Sequence, residues 1–482
     1  MISKIEDCEF GDIKVRRYKL FGFLPLLTTK ENDRYKQFKA FGLPLLQIKT
    51  LTSEEVYRLF NFLPILVVKK YTKLPYSKLN KHYQSIIKAL KNKILNKSKI
   101  RVCFMVIFDS VFPAKPLFEK MLMDDIFEPF ILIIPDKSRG EKHMYEQMEK
   151  SYNNLSAKYS CVYSSYDNVR KLFIDYSARM DIVCTANPYE TMTNKLYRIG
   201  KLCKKNILPI YFNYGYPAVS FARKVASLGS LAKMWKVFSE SESIIEEYCK
   251  SMKTHGTNLV LAGYMKMDEL ANFVEVPRAR KRVIIAPHHT IEEKFQSTIG
   301  LSNFLIYAEF FKELPKLYPQ IDFIFRPHPL LKVALEKDEI WGVEKTQKYF
   351  EEITKHSNLI YQDGGDYFET FVNSDGMIHD CSSFLAEYMY TEKPVCYMLR
   401  NVASIKQFFM NNGQEMIQNC YQAYSEKDIL SYLDNVILAG NDVLRNERVK
   451  FVYKTLKVNY PNVSEFVLDY IKEQLLKTED EV

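Results

Sequence analysis

The chain has 482 residues, 47% hydrophobic and 26% charged, a balance that suits two or three globular domains and excludes a disordered polymer. It contains no apolar run of about eighteen residues, the length a membrane-crossing helix needs. The start, "MISKIEDCEF", carries three acids and no apolar core, so it does not read as a secretory signal. The nine cysteines form no CxxC pair, which fits reduced thiols in a cytoplasmic protein. The formal net charge is +10, and it is unevenly spread: residues 1–100 hold 21 Lys and Arg against 8 Asp and Glu. That first stretch is therefore +13, and the remainder sums to −3. A basic N-terminal module favours an anionic partner such as a membrane surface or a phosphorylated polymer.

Within that module a degenerate unit recurs: "YKLFGFLPLL" from Tyr18, "FKAFGLPLLQIK" from Phe38 and "YRLFNFLPILVVKK" from Tyr57. Each copy runs aromatic, basic, turn, then a short apolar stretch, with Phe21, Phe41 and Phe60 at its centre. Gly22 or Gly42 suits a turn leading into a strand that docks on its neighbour. The same units could press Phe and Leu into a membrane surface ringed by Lys and Arg. Pro25, Pro44 and Pro64 exclude a long continuous helix. Lys78 to Lys99 reads as a basic helix that leads into the first domain.

"RVCFMVIFDS", 101–110, is a nearly unbroken apolar run, the signature of a parallel strand buried on both faces. Helix, turn and strand signals alternate from there to "NLVLAGYMKMDEL". After the basic, proline-bearing stretch "EVPRARKR" the alternation restarts at "VIIAPHHT", followed by a helix over 291–317 and strands near 321–325, 358–361, 377–379 and 394–399. This pattern predicts an α/β chain with a GT-B-like fold, two facing doubly wound Rossmann-type domains behind a basic N-terminal extension. The expected divisions are 1–99, 100–277, 278–440 and 441–482, the last being helices that pack back on the first domain. Ligands of such folds bind in the cleft at the C-terminal ends of the strands.

Residues suited to that cleft follow several strands. In "FIFRPHPLLKV", Pro327 and Pro329 hold Arg326 and His328 beside the strand end, and a rigid guanidinium fork next to an imidazole suits the oxygens of a diphosphate. In "HDCSSFLAEY", Ser382 and Ser383 open a helix after Asp380, offering hydroxyls and free N–H groups to an anion. Glu387, one turn on, is placed to accept ribose hydroxyls. His288 and His289 can donate to phosphate or exchange protons near neutral pH. Neighbouring residues on a strand point to opposite faces, so a metal site built on these two histidines is not expected. In the first domain, Asp109 is the candidate general base, and Asn213 and Gly215 of "FNYGYP" face the same crevice on the acceptor side. Asp380 is grouped with Asp109, His288 and His289 as catalytic.

As a set, "FRPHP", "HDCSSFLAE", "KPVCYM", "VLAGYMKMD" (Gly263, Asp268) and "IIAPHHT" resemble the motifs of the CDP-glycerol glycerophosphotransferases, the poly(glycerol phosphate) polymerase-like cell-envelope transferases of GT-B fold. The resemblance covers roughly residues 200–410. It implies a nucleotide-diphosphate donor held by Arg326, His328, Ser382, Ser383 and Glu387, with no tightly bound cofactor and no obligatory metal. Members of that family carry Trp-His-Gly in the first domain, its histidine serving as base; here the comparable strand end reads "YFNYGYP", without histidine. The expected activity is transfer of a polyol-phosphate, or of a sugar as in related capsule and lipopolysaccharide enzymes, to a hydroxyl of a glycan or lipid-linked primer. The expected location is the cytoplasmic face of the cell membrane, with residues 1–99 on an anionic membrane surface and no nucleic acid bound. A membrane-associated scaffold without activity, or a nucleotide-sugar epimerase, are the competing readings.

Overall fold

The computed structural model describes residues 2–10, 13–20, 24–31, 35–41, 43–50, 54–59, 63–69, 76–295 and 299–476. The chain divides into two units, Met1–Gln84 with Ser138–His143, and Ser85–Lys137 with Met144–Val482.

The first unit carries a seven-stranded antiparallel meander: β1 (Ile2–Phe10), β2 (Ile13–Leu20), β3 (Leu24–Glu31), β4 (Tyr35–Ala40), β5 (Leu43–Thr50), β6 (Glu54–Leu59) and β7 (Leu63–Lys69). Each sequence repeat is one hairpin of this sheet, β2–β3, β4–β5 or β6–β7. The register slips at the same place in each. Tyr18 faces Leu27 but Lys19 faces Pro25; Phe38 faces Leu46 but Lys39 faces Pro44; Tyr57 faces Leu66 but Arg58 faces Pro64. One residue directly after each proline is thereby left over, a bulge where the missing proline N–H interrupts the ladder. The three repeat turns fall on one edge of the sheet, because consecutive hairpins of a meander alternate edges. Phe41 sits in the second of these turns at φ +50°. The expected turn glycines Gly22 and Gly42, with Phe21 and Phe60, lie outside the described residues. The basic helix is present as Tyr76–Leu95.

The second unit holds two parallel sheets. The first sheet contains β8 (Ile100–Val106), β9 (Phe127–Ile133), β10 (Val162–Ser164), β13 (Ile182–Thr185), β14 (Leu208–Phe212), β15 (Lys236–Ser239) and β16 (Leu259–Leu261); a small hairpin of β11 (Tyr166–Asp167) and β12 (Leu172–Phe173) lies apart from it. Its order is β10-β9-β8-β13-β14-β15-β16. The second sheet contains β17 (Lys281–Ala286), β18 (Ile321–Phe325), β19 (Leu359–Tyr361), β20 (Gly376–His379), β21 (Val395–Met398) and β22 (Tyr421–Ala423), in the order β19-β18-β17-β20-β21-β22. In both sheets the chain winds outward one way from its first strand, then returns to that strand's other side and winds the opposite way. This is the doubly wound order, and it leaves a crevice where the winding reverses, between β8 and β13 and between β17 and β20. The architecture is the GT-B fold expected from the sequence.

The apolar runs form strands because both faces are covered. On β17, Ile284 and Ala286 join the core shared with the first domain, while Val283 and Ile285 enter the second domain's own core. The two domains are also joined through their backbones: Met410 N–H donates to the Ala218 carbonyl at 2.9 Å and Ser220 N–H to the Phe408 carbonyl at 2.7 Å. One expected element is shorter than read. The helix expected at 291–317 begins only at Phe304; just before it, the Thr290 hydroxyl accepts the N–H groups of Leu301 and Ser302.

The C-terminal helix Val463–Leu476 packs back on the first domain. Asp268 accepts the Val463 and Ser464 N–H groups at 3.1 and 2.7 Å, satisfying donors of the helix's first turn, and Lys120 pairs with Glu465. Gly263 makes the approach of this segment feasible: it has φ +100°, and a Cβ there would lie 2.1 Å from the Val458 carbonyl oxygen. The Gly263 and Asp268 motif is thus a socket for the C-terminal segment. Gly263→Ala, disfavoured by both the left-handed backbone and the backbone clash, should lower stability by about 2–4 kcal/mol in urea unfolding.

Candidate functional site

Three adjacent strands of the second sheet, β18, β17 and β20, end side by side. They deliver Arg326 and His328, His288 and His289, and Asp380 to Ser383, at the place where the winding reverses. The loops are laced together: Arg326 N–H donates to the Ile285 carbonyl at 2.8 Å, His328 N–H to the Pro287 carbonyl at 3.0 Å, and His288 N–H to Asp380 Oδ1 at 2.6 Å.

Arg326 is buried, 5% exposed. Its Nη1 donates to Gln362 Oε1 at 2.9 Å and its Nη2 to the Gly365 carbonyl at 2.5 Å, and the guanidinium lies over the Tyr367 ring. These hydrogen-bond partners are neutral, so among the described residues the positive charge has no paired carboxylate. A buried cation of this kind is costly on its own and favourable once an anion arrives.

The three histidine rings of the site lie together as a cluster, tilted or edge-on to one another. The His288 and His289 centroids are 4.4 Å apart and those of His289 and His328 4.1 Å apart. The sequence reading that adjacent histidines diverge is corrected here: both lie beyond the end of β17, where strand alternation no longer applies. One potential ligand nitrogen from each ring lies within 4.8 Å of the others, a spacing that could hold a metal ion. The hydrogen bonds point to different chemistry. His328 Nδ1 accepts the Leu330 N–H at 3.1 Å. The Thr290 hydroxyl already accepts two backbone N–H groups, so its own proton goes to His288 Nδ1, 2.9 Å away. With Nδ1 filled, each neutral ring carries its proton on Nε2. Burial keeps them neutral: His288 is held well below the ordinary histidine range, and His328 is brought down to about 3, with His289 adding to both effects. The pair presents N–H donors rather than lone pairs, which suits an oxyanion better than a cation.

The first domain meets the site at Gly215. A Cβ on this residue would lie 2.9 Å from Ser383 Oγ, so glycine is what allows the two strand-end loops to touch. Tyr214, 44% exposed, stands beside it.

Four residues expected at the site are engaged elsewhere. Asp109 accepts from Ser151 Oγ at 3.2 Å and Asn154 Nδ2 at 2.7 Å, anchoring the loop after β8. Asp380 is fully buried, with His288 N–H on Oδ1 and Asn303 N–H on Oδ2, both at 2.6 Å; burial lifts its carboxyl to about 7. Asn213 is buried under the loop, accepting from the Tyr211 and Tyr248 hydroxyls and donating to Glu240 at 3.1 Å. Glu387 is also fully buried. It accepts from the Tyr264 hydroxyl at 2.7 Å, Lys266 Nζ at 3.2 Å and the Tyr367 hydroxyl, so its oxygens tie the first domain to the second instead of lying open to a ribose. The helical spacing from Ser383 was right, but that face turns into the domain junction.

Tyr264, Lys266 and Tyr367 went unread in the sequence, since only the meeting of the two domains gives them Glu387 as a partner; Glu240, also unread, is held by Asn213 within the first domain. Burial raises Glu240 to about 8, against an ordinary 4.5. Between those values the unfolded chain releases this proton and the folded chain keeps it, so stability falls as pH rises through the window and levels off above it. Glu240→Gln stays neutral and can still accept from Asn213. Its melting temperature should therefore gain on wild type from about pH 5 to about pH 8 in a pH series of thermal unfolding.

The model of the family described as CDP-Glycerol:Poly(glycerophosphate) glycerophosphotransferase matches residues 257–473, a little under half of the chain. No curated protein sequence matches. Among solved structures, the wall teichoic acid polymerase TagF is similar at 14% identity and TM-score 0.53, over 83% of this chain and 94% of that one. A substituted form of TagF soaked with CDPG gives 15% identity and TM-score 0.51, over 84% and 98%. A Listeria monocytogenes protein described as a UDP-N-acetylglucosamine 2-epimerase gives 12% identity and TM-score 0.50, over 79% and 98%. At these identities the structures speak to fold alone. The chain is a GT-B-fold protein whose second domain and C-terminal segment are similar to the glycerophosphotransferase family model.

Proposed function

We infer that the protein is a transferase that takes a polyol-phosphate group from a CDP-activated donor to a hydroxyl of a cell-surface glycan or lipid-linked primer. The observation that carries this reading is the buried charge of Arg326, whose hydrogen-bond partners are neutral, on the same strand-end segment as His328, which is tied through its N–H to the loop of His288. Such donors stabilise a nucleotide diphosphate and, more strongly, the charge that gathers on the leaving nucleotide phosphate. Ser382 and Ser383 add hydroxyls at a helix start, facing the Gly215 loop from which the acceptor would approach. The family match over this domain favours the CDP-polyol donor over a nucleotide sugar.

Thermal unfolding with CMP, CDP, UDP and GDP tests it. Cytidine nucleotides should stabilise selectively, by about 2.7 kcal/mol at a hundredfold excess over Kd, and Arg326→Met and His328→Ala should abolish the effect. Selective stabilisation by UDP or GDP would replace the reading with sugar transfer. No shift from any nucleotide would leave the scaffold reading in its place.

The meander is assigned to an anionic membrane surface on the cytoplasmic side. Phe41 and Leu43, at one repeat turn, are 69% and 71% exposed within a strongly basic stretch. Among the described residues no helix is long and apolar enough to cross a membrane, so attachment would be from one side. Flotation with phosphatidylglycerol vesicles should recover the wild type, and Phe41→Ser with Leu43→Ser should weaken binding about tenfold or more. Equal recovery with pure phosphatidylcholine would refute the anionic part of the assignment.

A further inference from the structure

Among the described residues, the hydrogen-bond partners and the ring contact of the Arg326 guanidinium all come from one short segment after β19. Gln362 Oε1 and the Gly365 carbonyl accept from it, and the centre of the Tyr367 ring lies 5.4 Å away. Gly364 and Gly365, at φ +74° and +76°, give the backbone the turn that brings this carbonyl onto the arginine. The last residue of the segment has a second engagement. The Tyr367 hydroxyl donates to Glu387 and accepts from Lys266 Nζ, which belongs to the first domain. We propose that Lys266 is a positioning residue for the anion site: acting through the Tyr367 hydroxyl, it fixes the ring on which Arg326 rests and so sets how tightly the second domain holds a diphosphate. The proposal rests on the donor-site reading above and makes that site dependent on the first domain.

Tyr367 is placed to carry such an effect. Its ring meets Phe371 and Phe384 at 4.9 Å between centres in each case, and Phe384 follows Ser383 on the helix that supplies the other arm of the site. Burial and the Glu387 carboxylate hold its hydroxyl well above the usual tyrosine range, so it keeps its proton and donates it. The segment also answers to the first domain electrostatically. Asp366, with Asp363, acts on Arg326 from beyond hydrogen-bond distance, and Asp366 acts on Lys115, which pairs with Glu269 at 2.7 Å.

The charges explain why Lys266 matters. Glu387 is fully buried, and it accepts from the Tyr264 hydroxyl at 2.7 Å and from Lys266 at 3.2 Å besides Tyr367. Lys266 is the cation that compensates this carboxylate, and a buried carboxylate without one is strongly unfavourable. Once Lys266 is neutralised, the cation remaining against the shared tyrosine is Arg326. Whatever part of its field is then drawn toward Glu387 is withdrawn from an arriving anion. With Lys266 in place, Glu387 is satisfied from the first domain and Arg326 keeps its charge for the site.

The test is the affinity of the full-length protein for CDP and for inorganic pyrophosphate, measured by titration calorimetry below the melting temperature on variants shown folded by circular dichroism. Lys266→Met and Tyr367→Phe should each weaken both probes about tenfold, and by the same factor for each probe, because the effect reaches the anion through Arg326. The double variant should bind no more weakly than the weaker single one, since both substitutions cut the same link. Lys266→Arg, which keeps a charged donor, should stay within about threefold of wild type. A role confined to holding the fold would lower the melting temperature of the free protein and leave both affinities unchanged, and that result overturns the proposal. Effects that multiply in the double variant overturn it too. So does a loss in Lys266→Met with none in Tyr367→Phe, the mark of direct contact between Lys266 and the anion. If Lys266→Met does not fold, Tyr367→Phe decides alone, since it keeps the ring and removes only the hydroxyl. A wild type that binds neither probe overturns the donor-site reading and the coupling with it, whereas a wild type that binds, matched by its variants, overturns the coupling alone.

Discussion

Both oxygens of the Asp380 carboxyl are taken up by backbone N–H groups from the two ends of one connection, His288 just after β17 and Asn303 just before the helix Phe304–Leu317, and the geometry of the site hangs from that clamp. Asn303 Nδ2 in turn donates to the Met398 carbonyl at 3.2 Å, and the Tyr397 hydroxyl donates to the Asp380 carbonyl, so the clamp reaches β21. All of these residues are buried. Removing the carboxyl would strand buried N–H donors, each costing roughly 1–3 kcal/mol, and would release the turn that orients the histidines. An acid that looks catalytic from its place in the motif is here the fastening of the motif.

The same economy of buried polar groups sets the chemistry. Arg326 has neutral hydrogen-bond partners among the described residues, and burial keeps His288 and His328 of the neighbouring loops uncharged. A fixed cation beside uncharged rings is the arrangement on which the proposed diphosphate site rests. On the opposite wall, Gly215 removes the one side chain that would keep the loops apart, and Glu387 ties Tyr264 and Lys266 of the first domain to Tyr367 of the second. Binding and domain contact are therefore adjacent on the helix Ser382–Met389: Ser383 faces the loop, and Glu387, one turn on, faces the junction.

The sequence repeats offer a parallel case in the first unit. Aromatic, turn and proline at fixed offsets specify a hairpin, and the proline specifies where its pairing must slip, because a residue without N–H cannot sit in an unbroken ladder. Local chemistry of this kind is legible without a structure. So were the apolar runs of β8, β14 and β17, since strands covered on both faces leave no polar alternation to misread. The helix start at Phe304 was not legible, because the N–H groups of Leu301 and Ser302 just before it go to the hydroxyl of Thr290, eleven and twelve positions earlier.

What the sequence determined by itself was the order of elements and the placing of Arg326, His328, His288, His289, Ser382 and Ser383 after strand ends, for these follow from short-range pattern and chain connectivity. What only the tertiary structure decided was which polar atoms remain available. Asp109, Asp380, Asn213 and Glu387 carry suitable groups in suitable places, yet each is occupied by a partner at least 27 residues away. Hydrogen-bond capacity is limited, and its allocation depends on which distant groups the fold brings within about 3 Å, a distance that spacing along the chain does not encode.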